Sequence, residues 1–155
     1  MAAKGCVIAE EMHPVVLWYP QSGVGSSDII SLKNHAHCSL IGIQGAGASA
    51  CTVTVKASDD NASTTTSALA FKYYLESSSG VDQLSARTSA AAAGFTLSSG
   101  SNQFFVVEID ASDLPSGKPY VLLEVSDSGA DNLFAAVAVL SGPRYAREES
   151  PSVQS

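Results

Sequence analysis

The chain has 155 residues, of which 45% are hydrophobic and only 15% charged, and Ser, Thr and 12 Gly fill much of the polar remainder. That length fits one domain with a core able to stand without staples, and the mix lacks the Glu, Lys, Arg and Leu of a helical bundle while suiting a sheet protein with small neutral loops. The formal net charge is -7 and the 8 Lys and Arg are scattered from Lys4 to Arg147, which excludes the clustered basic stripe that displaces counterions from nucleic acid. No apolar run reaches the roughly 18 residues that cross a bilayer; neither a nucleic-acid nor a membrane partner is expected.

Residues 1–13 mix small, apolar and charged types without periodicity and read as an N-terminal arm. Glu10, Glu11 and the missing apolar segment separate them from a signal peptide. From Pro14 onward, short apolar runs are punctuated by Gly, Ser, Asn and Asp, the rhythm of strands and turns. Val15–Tyr19 is β-branched and aromatic and ends at Pro20, followed by a loop over Ser22–Ser27. Asp28–Lys33 and His37–Gln44 are the next predicted strands. In Cys51–Ala57, Val53 and Val55 alternate with Thr52, Thr54 and Lys56, a period of two that marks a half-buried strand.

Beyond the loop Ser58–Thr66, the run Ala68–Glu76 sets Leu69, Phe71, Tyr73 and Leu75 on one face. Gln83–Thr88 and Gly94–Leu97 are weaker strands around the alanines Ala90–Ala93. Gln103–Ile109, Tyr120–Ser126 and Leu133–Leu140 are stronger, and the last stops at Gly142–Pro143. About ten short strands without an amphipathic helix between them leave no crossover for parallel pairing. The expected fold is an all-β, antiparallel two-sheet β-sandwich of jelly-roll type, with a small β-barrel as the alternative. The domain spans 14–145, and 146–155 form a polar tail too poor in apolar surface to order itself.

Chemistry-bearing residues are sparse. His13 stands alone, while His35 and His37 share a strand face from which Cys38 points away; a zinc site would need further ligands converging on the pair. Cys6, Cys38 and Cys51 are irregularly spaced and odd in number, which argues for free thiols and synthesis in a reducing cytoplasm. No serine sits in a nucleophile elbow, and the glycines of Gly23–Gly25 and Gly45–Gly47 do not open a phosphate-binding helix. Asp59 with Asp60, Asp110 with Asp113 and Asp127 with Asp131 are loop carboxylates of the kind calcium uses, but Asx turns explain the same residues. Neither catalytic residues, cofactor nor metal is expected. Glu108 and Glu124 fall inside apolar strands, where each can meet a subunit, pair with Lys or Arg, or face solvent.

Three segments together resemble the C-terminal half of a known family, QFFVVEIDASDL at Gln103–Leu114, YVLLEVSD at Tyr120–Asp127 and FAAVAVLSGPRY at Phe134–Tyr145, and DIISLK at Asp28–Lys33 and ALAFKYY at Ala68–Tyr74 sit where that family also has strand motifs. They are similar to the small virion proteins that tailed bacteriophages encode beside the major capsid protein. That resemblance implies a capsid decoration, or cement, protein on the outside of an icosahedral head. Its partners would be the major capsid protein and copies of itself, with a homotrimer expected because capsid lattices present three-fold positions. The expected contact residues are Val7, Ile8, Met12, Trp18, Tyr19, Arg144 and Tyr145, on the arm and beside the tail, where aromatics and Arg favour interfaces; core packing is the commoner fate of a lone Trp. The alternatives are a tail or head–tail connector component, and a carbohydrate-binding module presenting Trp18, Tyr73 and Tyr74.

Overall fold

The structure is a computed structural model and describes residues 5, 7–22, 25–45, 49–76, 83–99, 102–127 and 132–144. A helical turn, α1 (Ile8–Glu11), leads into β1 (His13–Ser22), β2 (Gly25–Ser26), β3 (Ile30–Ser31), β4 (His35–Gln44) and β5 (Cys51–Ser58). Next come β6 (Thr66–Ala68), β7 (Phe71–Leu75), β8 (Thr88–Ala90) and β9 (Phe95–Leu97). The chain continues through β10 (Gln103–Asp110), a 3-10 turn at Ala111–Asp113, β11 (Tyr120–Asp127) and β12 (Leu133–Pro143). No helix is long and apolar enough to cross a membrane among the described residues.

Two six-stranded sheets result. The first runs β1-β12-β4-β10-β7-β8, and the second runs β2-β11-β5-β6 with β3 also on β11 and β9 also on β5. All of these pairings are antiparallel, so the expected antiparallel sandwich is the fold. From β4 onward the long strands β4, β5, β10, β11 and β12 alternate between the two sheets, while the equally long β1 shares the first sheet with β4 and lies beside the last strand.

Alternation makes the core. Val53, Val55 and Ala57 of β5, and Phe105, Val107 and Ile109 of β10, point inward and are buried, together with Leu40, Leu123, Val125, Ala138 and Leu140. An aromatic path crosses this core from Trp18 to Phe134 (5.6 Å between ring centroids), Phe105 (5.9 Å) and Phe95 (5.3 Å), where Tyr73 stacks at 4.1 Å. Gly42 of β4 lies between Phe105 and Ala136 in the ladders. A Cβ on it would fall inside the Phe105 ring, so the missing side chain is what lets the ring lie on the β4 backbone.

Several strand boundaries differ from expectation. β1 does not stop at Pro20 but runs from His13 to Ser22 through two prolines. It is an edge strand, paired with β12 while only Leu17 O accepts from the Asp28 N–H on its other side among the described residues, and an edge tolerates missing donors. A register shift between Val16 and Trp18 turns both Leu17 and Trp18 inward, to 1% and 6% exposure. The predicted run Ala68–Glu76 is two strands, because the Leu69 N–H donates to Val55 O of the second sheet before the chain joins the first at Phe71. Of Asp28–Lys33, only Ile30 and Ser31 pair. Around the alanines, Ala90 closes β8 and residues 92–93 form a turn.

Candidate functional site

The outward-pointing residues of the first sheet form cross-strand rows. Val16 of β1 lies opposite Val137 of β12, which lies opposite Ile41 of β4, then Val106 of β10 and Tyr74 of β7. A second row joins Ala135, Ile43 and Phe104. Val16, Val137 and Ile43 are 42%, 37% and 53% exposed, and Leu133 near the same end is 52% exposed. β-Branched residues favour a pleated surface, but burial normally covers one face only. Here the apolar rows continue on the side that faces away from the core.

The other end of the same face is ionic. Glu108 and Asp110 are two apart on β10 and therefore project on one side, while His37 of β4 lies opposite Asp110. The imidazole bridges the two carboxylates: Nε2 is 2.7 Å from Glu108 Oε2 and Nδ1 is 2.8 Å from Asp110 Oδ1. Ser39 Oγ donates to the same Glu108 oxygen at 2.7 Å. Partial burial of the ring opposes its charge, but the hydrogen bonds to Asp110 and Glu108 and the charges behind them prevail and hold its pKa above the ordinary value. A carboxylate at each nitrogen favours the protonated ring, which can donate at both.

This geometry limits the chemistry. Ser39, His37 and Asp110 are the residue types of a nucleophilic relay, with Ser39 Oγ 3.5 Å from Nε2. Glu108 stands between them, accepting from both the hydroxyl and the ring, so the imidazolium is not placed to take the serine proton. The two carboxylates address opposite sides of the ring rather than a common point, and no grouping of three or more His, Cys, Asp or Glu able to hold a metal occurs among the described residues. Beside the triplet opens a groove of about 380 Å³ whose lining includes Lys72, Arg87, Phe71 and Asp113.

His35 does not join His37. It is 3% exposed and its ring stacks on that of His13, with centroids 6.3 Å apart; burial first, and the neighbouring His13 second, lower its pKa. Cys38 points inward as expected and its thiol is pushed up by burial, with the Glu108 charge adding to it. Cys51 lies in the other sheet, donating to Gln44 Oε1 at 3.4 Å. Asp60 is spent on its own loop: its Oδ1 accepts the N–H groups of Thr64 at 3.0 Å and Ala62 at 3.1 Å, which is turn chemistry.

The expected contact residues separate. Ile8 and Tyr19 are 52% and 69% exposed, Val7 and Met12 are half-buried beside α1, and Arg144 is exposed, its N–H donating to Asn34 O. Trp18 is a correction: the bulge in β1 drives it into the core against Phe134. Tyr145 and the tail 146–155 lie outside the described residues, as does Cys6. Tyr73 also packs in the core, so Trp18, Tyr73 and Tyr74 do not form one exposed aromatic face. Sequence reasoning missed the apolar rows and the His37 triplet, because both depend on which strands are neighbours. The signal present was limited to the apolar outward positions of β4, β10 and β12 and the Glu-x-Asp spacing of β10. No protein-family model, curated protein or solved structure matches this chain.

Proposed function

We propose that this chain is a structural protein of a phage virion, a decoration protein that binds the outside of the icosahedral head and ties neighbouring capsid subunits together. The observation that carries the reading is the apolar outer face of the first sheet, with Val16, Val137 and Ile43 exposed on an otherwise acidic domain. A surface of this kind serves association with protein rather than solubility. The resemblance read in the sequence segments is what points to a phage head in particular, and a two-sheet antiparallel sandwich with the first strand beside the last is compatible with a jelly roll. Its partners on this reading are the major capsid protein and further copies of itself, with a trimer at three-fold positions the arrangement that lattice symmetry favours.

The test is co-sedimentation of the purified chain with heads that lack it. Saturable binding at a fixed copy number per head, and heads that survive heating better for it, are the expected results. Absence of binding to such heads overturns the proposal, and binding confined to tails replaces it with a connector role.

A further inference from the structure

We propose that the outer face of the first sheet is closed by the same face of a second copy of this chain. The inference takes self-association from the functional reading above and adds the surface and the symmetry.

Three observations point to this occupant. First, the main row, Val16–Val137–Ile41–Val106–Tyr74, crosses the face at right angles to the strands and is centred on Ile41 of β4. A two-fold axis through that centre lays the row on itself, so one surface supplies both halves of the contact. Sheets of equal handedness also pack face to face with their strands about 30° apart, and a second copy brings that twist by necessity. Second, the size fits. Five strands at about 4.8 Å spacing and about eight residues at about 3.3 Å rise give about 600 Å² in plan. Two such faces cover about 1,200 Å², the lower bound of a stable specific interface.

Third, charge permits it. The chain carries a net -7, so most ways of joining two copies press like charges together. On this face Lys72, beside Glu108 in the ladder, and the His37 bridge offset Glu108 and Asp110. The ionic end then forms a polar rim around an apolar centre, as interfaces are built. A face that meets itself creates a two-fold contact, separate from any three-fold contact the chain makes.

Light scattering on the full chain after size exclusion tests this. The expected mass is an even multiple of 15.9 kDa, two chains, or six where a three-fold contact also forms. Ile41→Lys should halve it, weakening the contact by at least about a hundredfold by burying an unpaired ammonium in an apolar seam, while Thr54→Lys on the other sheet leaves the mass unchanged. Val16→Lys, on the edge strand, must give the same halving and serves if Ile41→Lys does not fold. An odd multiple for the wild type, or a mass unmoved by folded Lys variants, overturns the pairing. Head binding is read in parallel. Lys variants that keep their mass but lose head binding assign the face to the capsid instead, and a wild-type pair that ignores heads overturns the decoration reading alone.

Discussion

The two outer faces of this sandwich rest on one core and follow one alternation rule, yet they differ in kind. On the second sheet, the outward positions of β5, β9 and β11 are Thr52, Thr54, Lys56, Thr96, Tyr120, Leu122, Glu124 and Ser126; Leu122 is the one buried aliphatic among them, and Lys56 pairs with Glu124. On the first sheet, the corresponding positions of β12, β4 and β10 include Val137, Val139, Ile41, Ile43, Phe104 and Val106. A strand needs only one apolar face to fold, and the second sheet shows how the other is normally finished, mostly with hydroxyls and a half-buried ion pair. The apolar finish of the first sheet is not required by the core. That surplus is what makes it an interface, and the His37–Glu108–Asp110 bridge marks where the apolar rows end.

Four changes test the contrast. The largest effect strikes both faces together. Phe105→Ala removes the ring that touches Phe95 and Phe134 and covers Gly42, and is expected to cost about 3–5 kcal/mol in a denaturant melt, the ordinary loss for a buried aromatic. A loss below about 1 kcal/mol would mean that the aromatic path does not hold the sheets together.

Next is a change confined to the first sheet. Ile43→Ser with Val137→Ser, at two exposed positions, should weaken self-association by about tenfold or more while changing chain stability by less than about 1 kcal/mol. Equal losses in both measurements would make these residues core members rather than contact residues.

The third prediction uses pH. The folded pKa of His37 is raised, so its stabilising contribution is complete below the unfolded value of about 6.5 and disappears as pH climbs through the higher folded value. Unfolding free energy of the wild type should therefore fall across that window, and His37→Gln should flatten this part of the profile. Titration of the His37 ring protons by NMR gives the folded value directly, and a midpoint below 6.5 would contradict the bridge.

The smallest effect belongs to the second sheet. Lys56→Ala should cost no more than about 1 kcal/mol, because its partner Glu124 is 30% exposed and such pairs are weakened by water and salt. A larger loss that persists in high salt would show that this face, too, carries structural weight.

Legibility in the sequence follows the same division. β5 is readable because Val53 and Val55 alternate with Thr52, Thr54 and Lys56, while β4, β10, β11 and β12 are readable as short apolar runs bounded by turn residues, and the all-β class follows from them. β1 is misread at Pro20, since a proline forbids a ladder donor only where a neighbour asks for one, and the outer edge of β1 asks for none. The passage from β6 to β7 is also invisible in the pattern. Leu69 and Phe71 both face the core while belonging to opposite sheets, so alternation runs unbroken through the crossing. Of the candidate site, Glu108 was visible as a charge inside an apolar strand, but its partner was not. His37 lies 71 residues away and meets Glu108 only through the β4–β10 register.

By itself the sequence determined the strand class, the inward residues of a cleanly alternating strand such as β5, and the acidic, weakly charged composition, because these depend on composition and on a period of two along the chain. Tertiary structure alone decided which strands became neighbours, which of the two outer faces assembled its valines and isoleucines into continuous rows, and which carboxylates enclosed His37. Those properties arise from pairing between residues far apart in the chain, and no local pattern records the register that brings them together.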